Sequence, residues 1–306
     1  MSMAHTKPCS EGFWTRVWRA RVSYFMIAPF GAVFFLFTVL PVLMSIFLSF
    51  TDYDMLNLSS FTGLDNYLRM FLDDDIFLIA LKNTLVFALI TGPISYFLCF
   101  FFAWLINELH SVLRSFVTLI FYAPVLSGSV YTVWQFLFSS DQYGFINGVL
   151  MNLGLIQEPI AWLADAGYIM PTLIVVQLWM SLGTGFLAFI AGLQGVDTTL
   201  YEAANIDGVK NRFQELWYVT LPQMAPQMMF GAVMQIVASF SVGGISVTLA
   251  GFPSTEYAGE TIVTHMMDYG SVRYEMGYAC AIACFLFFMM YASKEGVNRI
   301  LSRVGH

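Results

Sequence analysis

Charge is scarce in this chain. Only 11% of its 306 residues are Asp, Glu, Lys or Arg, against about 25% in a soluble globular domain. Hydrophobic residues make up 58% and the mean hydropathy is +0.71, which excludes a single core solvated by water. Catalytic motifs are also missing. There is no G-x-x-x-x-G-K-[ST], so the chain does not itself cradle ATP phosphates in the usual way. It has no H-E-x-x-H, G-x-S-x-G or G-x-G-x-x-G, the patterns of zinc proteases, common hydrolases and dinucleotide sites. The four cysteines (Cys9, Cys99, Cys280, Cys284) include no C-x-x-C and no nearby histidine. Cys280 and Cys284 share a helix face and read as small apolar residues of a membrane helix rather than a metal pair. No metal site is expected.

What the chain has is long apolar runs. Residues 1–23 form a polar N-terminal segment with Lys7, Arg16, Arg19 and Arg21. The run Tyr24–Phe50 that follows exceeds the roughly 7–15 residues of a signal-peptide core and has no A-x-A cleavage site after it. It reads as a retained first span, with tilt or a kink near Pro29 or Pro41. Five more spans are predicted: Phe77–Ile106, broken near Gly92-Pro93; Ser115–Phe138; Tyr168–Leu193; Gln227–Leu249; and Tyr274–Tyr291. Only helices or closed barrels satisfy the backbone in lipid, and these runs lack the alternation of a barrel strand. The expected fold is therefore an all-α membrane protein with six transmembrane helices over residues 24–297 and a short tail at 298–306.

Six spans put both termini on one side. Ten of the 13 Lys and Arg residues fall on that side, while Arg69, Lys82 and Arg273 fall on the other. By the positive-inside rule the termini are cytoplasmic. Thirteen of the 20 acids lie outside, where they either meet a partner or stay solvated. The histidines (His5, His110, His265, His306) fall in loops or tails, and no Asp or Glu falls in mid-span. Proton-coupled carriers usually carry ionisable groups there, so this argues against a secondary transporter or an intramembrane protease. Asp73-Asp74-Asp75 reads as a polar loop preceding a span.

The one long polar stretch between two spans is YEAANIDGVKNRFQELWYVTLP, residues 201–222. Leu200 to Ile206 suits a short helix, with Thr199 and Glu202 spaced as a capping box. Gly208 breaks it, since glycine takes positive φ at no steric cost. A second short helix carries Phe213, Leu216, Trp217 and Thr220 on one face, and Pro222 is expected to end it. The pattern is a helix–glycine–helix hairpin on the cytoplasmic side, over about 196–222. Glu202 and Gly208 would also serve as cap and stop in an ordinary loop.

This stretch resembles the EAA loop of ATP-binding-cassette importer permeases: Glu202-Ala203-Ala204, then Gly208, then Leu221-Pro222. Lys82-Asn83-Thr84-Leu85, Tyr122-Ala123-Pro124, Phe186 to Gln194 and Phe61-Thr62-Gly63-Leu64-Asp65-Asn66-Tyr67 are similar to the maltose and multiple-sugar branch. The resemblance covers roughly residues 24 to 300. One departure is that Gly208 to Pro222 is one residue longer than usual, and an added residue turns a helical face by about 100°.

The resemblance implies a permease subunit rather than an enzyme, coupled to its ATPase through Glu202, Ala203, Ala204, Asp207 and Gly208. Leu216 and Trp217 would pack the hairpin onto its own bundle. The implied partners are a second, different permease, two copies of a cytoplasmic ATPase that holds ATP and Mg, and an extracytoplasmic solute-binding protein. The setting is a bacterial cell (inner) membrane, among lipid, with no nucleic acid involved. This chain would bind no cofactor. Tyr122, Tyr131, Gln135, Gln177, Trp179, Ser239 and Ser241 offer neutral hydrogen-bonding and aromatic groups suited to a sugar path. Such residues also populate interfacial belts and helix contacts. A permease for another solute such as glycerol phosphate, or a membrane enzyme or scaffold, stays open beside the sugar reading.

Overall fold

The computed structural model describes residues 18, 20–57, 59–127 and 130–301. Most of the N-terminal segment and the end of the tail, with Lys7, Arg16, Arg19, Arg303, Cys9, His5 and His306, lie outside these. Among the described residues the chain is helical, apart from one isolated antiparallel bridge between Thr51 and Phe61. Four helical stretches are long and apolar enough to cross a membrane, and six if two bent pairs each count as one span.

Helix α1, Arg21–Leu48, is the first of these, and none of its most apolar window is buried. A π turn at Phe35–Val39 lies just before Pro41, one of the two positions expected for a kink. A proline ring crowds the carbonyl four residues back, and a widened turn relieves that clash. A short helix α2, Asp65–Leu72, leads to α3, Asp75–Asn107, which is 33 residues long. It runs unbroken through Pro93, so the break expected at Gly92-Pro93 does not occur. Gly92 instead admits Ser239 of a neighbouring helix, whose Oγ would sit 3.5 Å from an added Cβ.

The third run is split. Helices α4 (Ser111–Leu126) and α5 (Val130–Leu137) meet at 86° within the expected Ser115–Phe138 run. Pro124, in the last turn of α4, removes a backbone donor and disfavours a regular helix there. After α6 (Phe145–Asn152), the fourth run folds as α7 (Ala166–Met180) and α8 (Thr184–Gln194). The hairpin comes next, as α9 (Thr198–Ile206) and α10 (Arg212–Glu215). The fifth run is α11 (Ala225–Phe240) bent by 41° against α12 (Gly244–Ala250). Beyond α13 (Ile262–Met267), the last helix α14 spans Met276–Leu301. It outruns the predicted end at Tyr291 because its polar continuation still favours a helix, with Arg299 Nε 3.4 Å from Glu295 one turn back.

Backbone groups freed at the breaks find partners inside the bundle, as they must away from water. The Ser181 carbonyl, between α7 and α8, accepts from Gln235 Nε2 at 3.1 Å and Cys99 Sγ at 3.2 Å. The Val242 carbonyl, between α11 and α12, accepts from the Thr261 hydroxyl at 2.5 Å. Around the first node lies a cluster of Cys99, Phe186, Phe189, Leu193 and Met224. A second cluster joins Phe87, Ile169, Leu173 and Val242. A third joins Phe77, Ile262, Tyr278 and Ile282.

Candidate functional site

The hairpin is built from local rules. The side chain of Asp197, not Thr199, caps α9 by accepting from Thr199 N at 2.9 Å. The expected capping box does not form: a single cap lies two residues upstream, and Glu202 is left exposed. Hydrogen bonds from Thr199 hold the Asp197 carboxyl below its usual range, which suits a helix N-terminus. At the other end Gly208 N donates to the Asn205 carbonyl at 3.3 Å and Val209 N to the Ala204 carbonyl at 3.0 Å. This is the Schellman pair, with Gly208 at φ +98° where a side chain would be strained.

Asn211 then caps α10 through Gln214 N. The helix does not end at Pro222. A π turn at Leu216–Thr220 precedes Leu221–Gln223, and the chain passes almost directly into α11. The same device lies before Pro41. The extra residue between Gly208 and Pro222 therefore forces no rotation of a continuous α-helix, because Val209–Asn211 and the π turn both interrupt it.

Two polar links tie the hairpin to the bundle and to itself. Arg212 reaches Glu108, just beyond α3, at 3.1 Å and Glu215 at 2.9 Å. Tyr201 Oη lies 2.9 Å from Thr220 Oγ1. Behind these links is a polar cavity of about 330 Å³ lined by Asn107, Glu108, Arg114, Tyr201, Arg212 and Thr220. Of the apolar face expected to pack inward, Thr220 is buried and Leu216 is half-buried, lining that cavity. Phe213 meets Trp104 at 5.5 Å between ring centroids yet stays largely exposed. Trp217 is 64% exposed, so it does not pack the hairpin onto its own chain. Of the five coupling candidates, Ala203, Ala204 and Asp207 line an open groove of about 410 Å³ with Tyr218 and Gln223. Gly208 forms the adjoining stop.

Of the seven path candidates, Trp179 and Ser239 line two different cavities. Trp179 lines an apolar cavity of about 340 Å³ with Phe121, Pro124 and Leu182. Ser239 lines another, of about 380 Å³, with Tyr96 and Gln235, and its hydroxyl is spent on its own helix at the Ile236 carbonyl. Tyr131 packs in the Phe87 cluster. Tyr122 and Gln177 are half-buried, while Gln135 and Ser241 are exposed.

Sequence reasoning missed two features. The Arg212–Glu108 link joins residues far apart in the chain and leaves no local signal. At the end of the bundle away from the hairpin, Asp74 is not a solvated loop residue. It is 7% exposed and accepts from Tyr278 Oη at 2.7 Å and Phe77 N at 2.9 Å, with His265 Nε2 at 2.9 Å. Burial raises its pKa, but these hydrogen bonds outweigh burial and hold the carboxyl well below its usual range.

Four helices long and apolar enough to cross a bilayer, with two bent pairs that could each make a further span and an exposed helical hairpin at one end, mark an integral membrane protein. No family model matches the chain. It is, however, 32% identical over 263 residues to the probable ABC transporter permease protein YesP of Bacillus subtilis, covering 85% of this chain and 84% of that one. It is 29% identical over 289 residues to the arabinooligosaccharides transport system permease protein AraP of Halalkalibacterium halodurans, covering 94% and 90%. A chain of the bacterial alginate ABC transporter, solved with its alginate-bound periplasmic protein, superposes with a TM-score of 0.77 at 22% identity, covering 96% and 98%. The chain belongs to the binding-protein-dependent sugar permease family of ABC transporters, as an integral membrane transport subunit and not an enzyme.

Proposed function

We propose that this chain forms half of the translocation path of an ATP-driven bacterial importer and carries a sugar or oligosaccharide inward. The hairpin is the coupling element: Glu202, Ala203, Ala204, Asp207 and Gly208 meet a separate ATPase that holds ATP and Mg. The observation that carries this reading is the hairpin's geometry. Small residues line an open groove on α9, a Schellman stop fixes its direction, and Arg212 ties its second helix to Glu108. A force applied to α9 is thereby delivered to α3 and α11. ATP binding can bias a two-state bundle only through contacts that differ between the states, and an exposed, anchored lever supplies them.

In this reading each bent pair is one span, which makes six. Both termini and the hairpin are cytoplasmic, in the inner membrane. A second permease completes the path, two ATPase copies drive it, and an extracytoplasmic binding protein delivers the cargo. Residues 1–23, 24–297 and 298–306 keep the roles of N-terminal segment, permease domain and tail. AraP is named for arabinooligosaccharide transport; the neutral, aromatic inventory of the spans suits a cargo of that class. A phosphorylated solute would call for Arg or Lys along the path, and none lies mid-span. The test is uptake by cells carrying Gly208→Pro or Glu202→Lys. Both variants should insert normally and lose transport. Normal uptake in both would overturn the assignment of the hairpin.

A further inference from the structure

The end of the bundle away from the hairpin is tied together by polar contacts, many of them buried, most of which converge on one loop, residues 251–275. Asn83 of α3 donates through Nδ2 to the carbonyls of Tyr257 and Glu260, each at 3.0 Å. Thr84, one residue on, accepts from Ile262 N at 3.0 Å. The Ser246 hydroxyl of α12 donates to the Gly259 carbonyl at 2.5 Å, and the Thr261 hydroxyl donates to the Val242 carbonyl. His265 of α13 meets Asp74, which also holds Tyr278 of α14. Arg69 of α2 pairs with Glu275 and lies 4.4 Å over the Tyr278 ring. Gly277 N donates to the Tyr53 carbonyl at 2.8 Å, which brings in the segment after α1.

Most of these groups are sealed from water: Thr84, Thr261 and His265 are each 1% exposed. Lifting the loop would leave all of them unsatisfied at once, and buried polar groups without partners are strongly disfavoured. A hinged gate needs the opposite, a segment with few buried contacts.

We infer that loop 251–275 is a fixed clamp that joins the far ends of the second, fifth and sixth spans into one body, with the segment after the first span held to the sixth at Gly277, and that this body moves as a unit through the transport cycle. The opening for cargo at that end is therefore made by displacing this body as a whole, not by this loop lifting. The inference rests on the importer reading, because the motion concerned is the one ATP binding drives.

The test is pulsed electron–electron spin resonance on the complex purified with its native partners, nucleotide-free and trapped with ATP and vanadate. Labels go at Leu56, Asp73 and Thr255, exposed positions around the clamp, and at Ile206 on the hairpin, which is 86% exposed. The Asp73–Thr255 and Leu56–Thr255 distance distributions should coincide in the two states while Ile206–Thr255 shifts. A shift or splitting of Asp73–Thr255 alongside the hairpin shift would overturn the clamp. A purified chain with no ATPase bound would overturn the importer reading and this inference with it.

Discussion

Replacing Asp74 is the most direct probe of the polar packing at the clamp. Its carboxylate accepts from Tyr278 Oη and Phe77 N and meets His265 Nε2, all within 2.9 Å. Tyr278 and His265 are 2% and 1% exposed, so water cannot replace the lost acceptor. Removing one partner of a buried, charge-assisted set costs about 3–5 kcal/mol, and Asp74→Ala should fall in that range. Asp74→Asn keeps one oxygen for Phe77 N and fills the same space. Its cost should be nearer that of losing hydrogen bonds to a charged group, about 1.5–3 kcal/mol. The assay is unfolding of the detergent-purified chain by heat or denaturing detergent, followed by tryptophan fluorescence. The expected order of stability is wild type, then Asn, then Ala. An Ala variant within about 1 kcal/mol of wild type, or one as stable as Asn, would refute the network as drawn.

Three further outcomes are expected. Nothing lies within 4 Å of a Cβ added at Gly208, so Gly208→Ala is strained only through its φ of +98°. That costs about 1–2 kcal/mol, and Gly208→Pro should be worse because it also loses the bond to Asn205; limited proteolysis of the hairpin would rank the two. At Gly231 an added Cβ would lie 2.5 Å from Phe189 Cζ, so Gly231→Ala should destabilise by about 1–3 kcal/mol, with Phe189→Leu restoring part of the loss in the same unfolding assay. Burial raises the Glu260 pKa, outweighing the Thr264 hydroxyl and His265, which lower it. A raised folded pKa contributes stability below the unfolded value, about 4.3, and that contribution is lost as pH rises through the folded value. Glu260→Gln should therefore be more stable than wild type at pH 8, and the advantage should vanish below about pH 4.

Four of the spans were legible because a membrane helix must be long and apolar. Gly208 was legible for a similar reason: few residues other than glycine end a helix with positive φ. What the sequence hid were effects of neighbours. Pro93 and Pro222 look like breaks, yet α3 runs through the first and a π turn carries the chain past the second. Asp197 took the cap from Thr199 because the choice turns on which side chain lies two residues before a free N–H. Trp217 stayed exposed because no element among the described residues packs over it. Asp74 and His265 lie 191 residues apart, and a contact that distant leaves no periodicity to read. The path candidates were chosen by residue type alone, and type does not distinguish a lining group from one spent on its own helix, as at Ser239.

The central claim is that an exposed hairpin couples this permease to an ATPase on another chain. It is tested most directly by affinity purification of the tagged chain from mildly solubilised native membranes, with everything retained identified by mass spectrometry. Recovery of a nucleotide-binding subunit and a second permease is predicted, with the nucleotide-binding subunit lost when Glu202 and Gly208 are changed. A chain that emerges without an ATPase under several detergents, or one that keeps its ATPase when both residues are replaced, would contradict it.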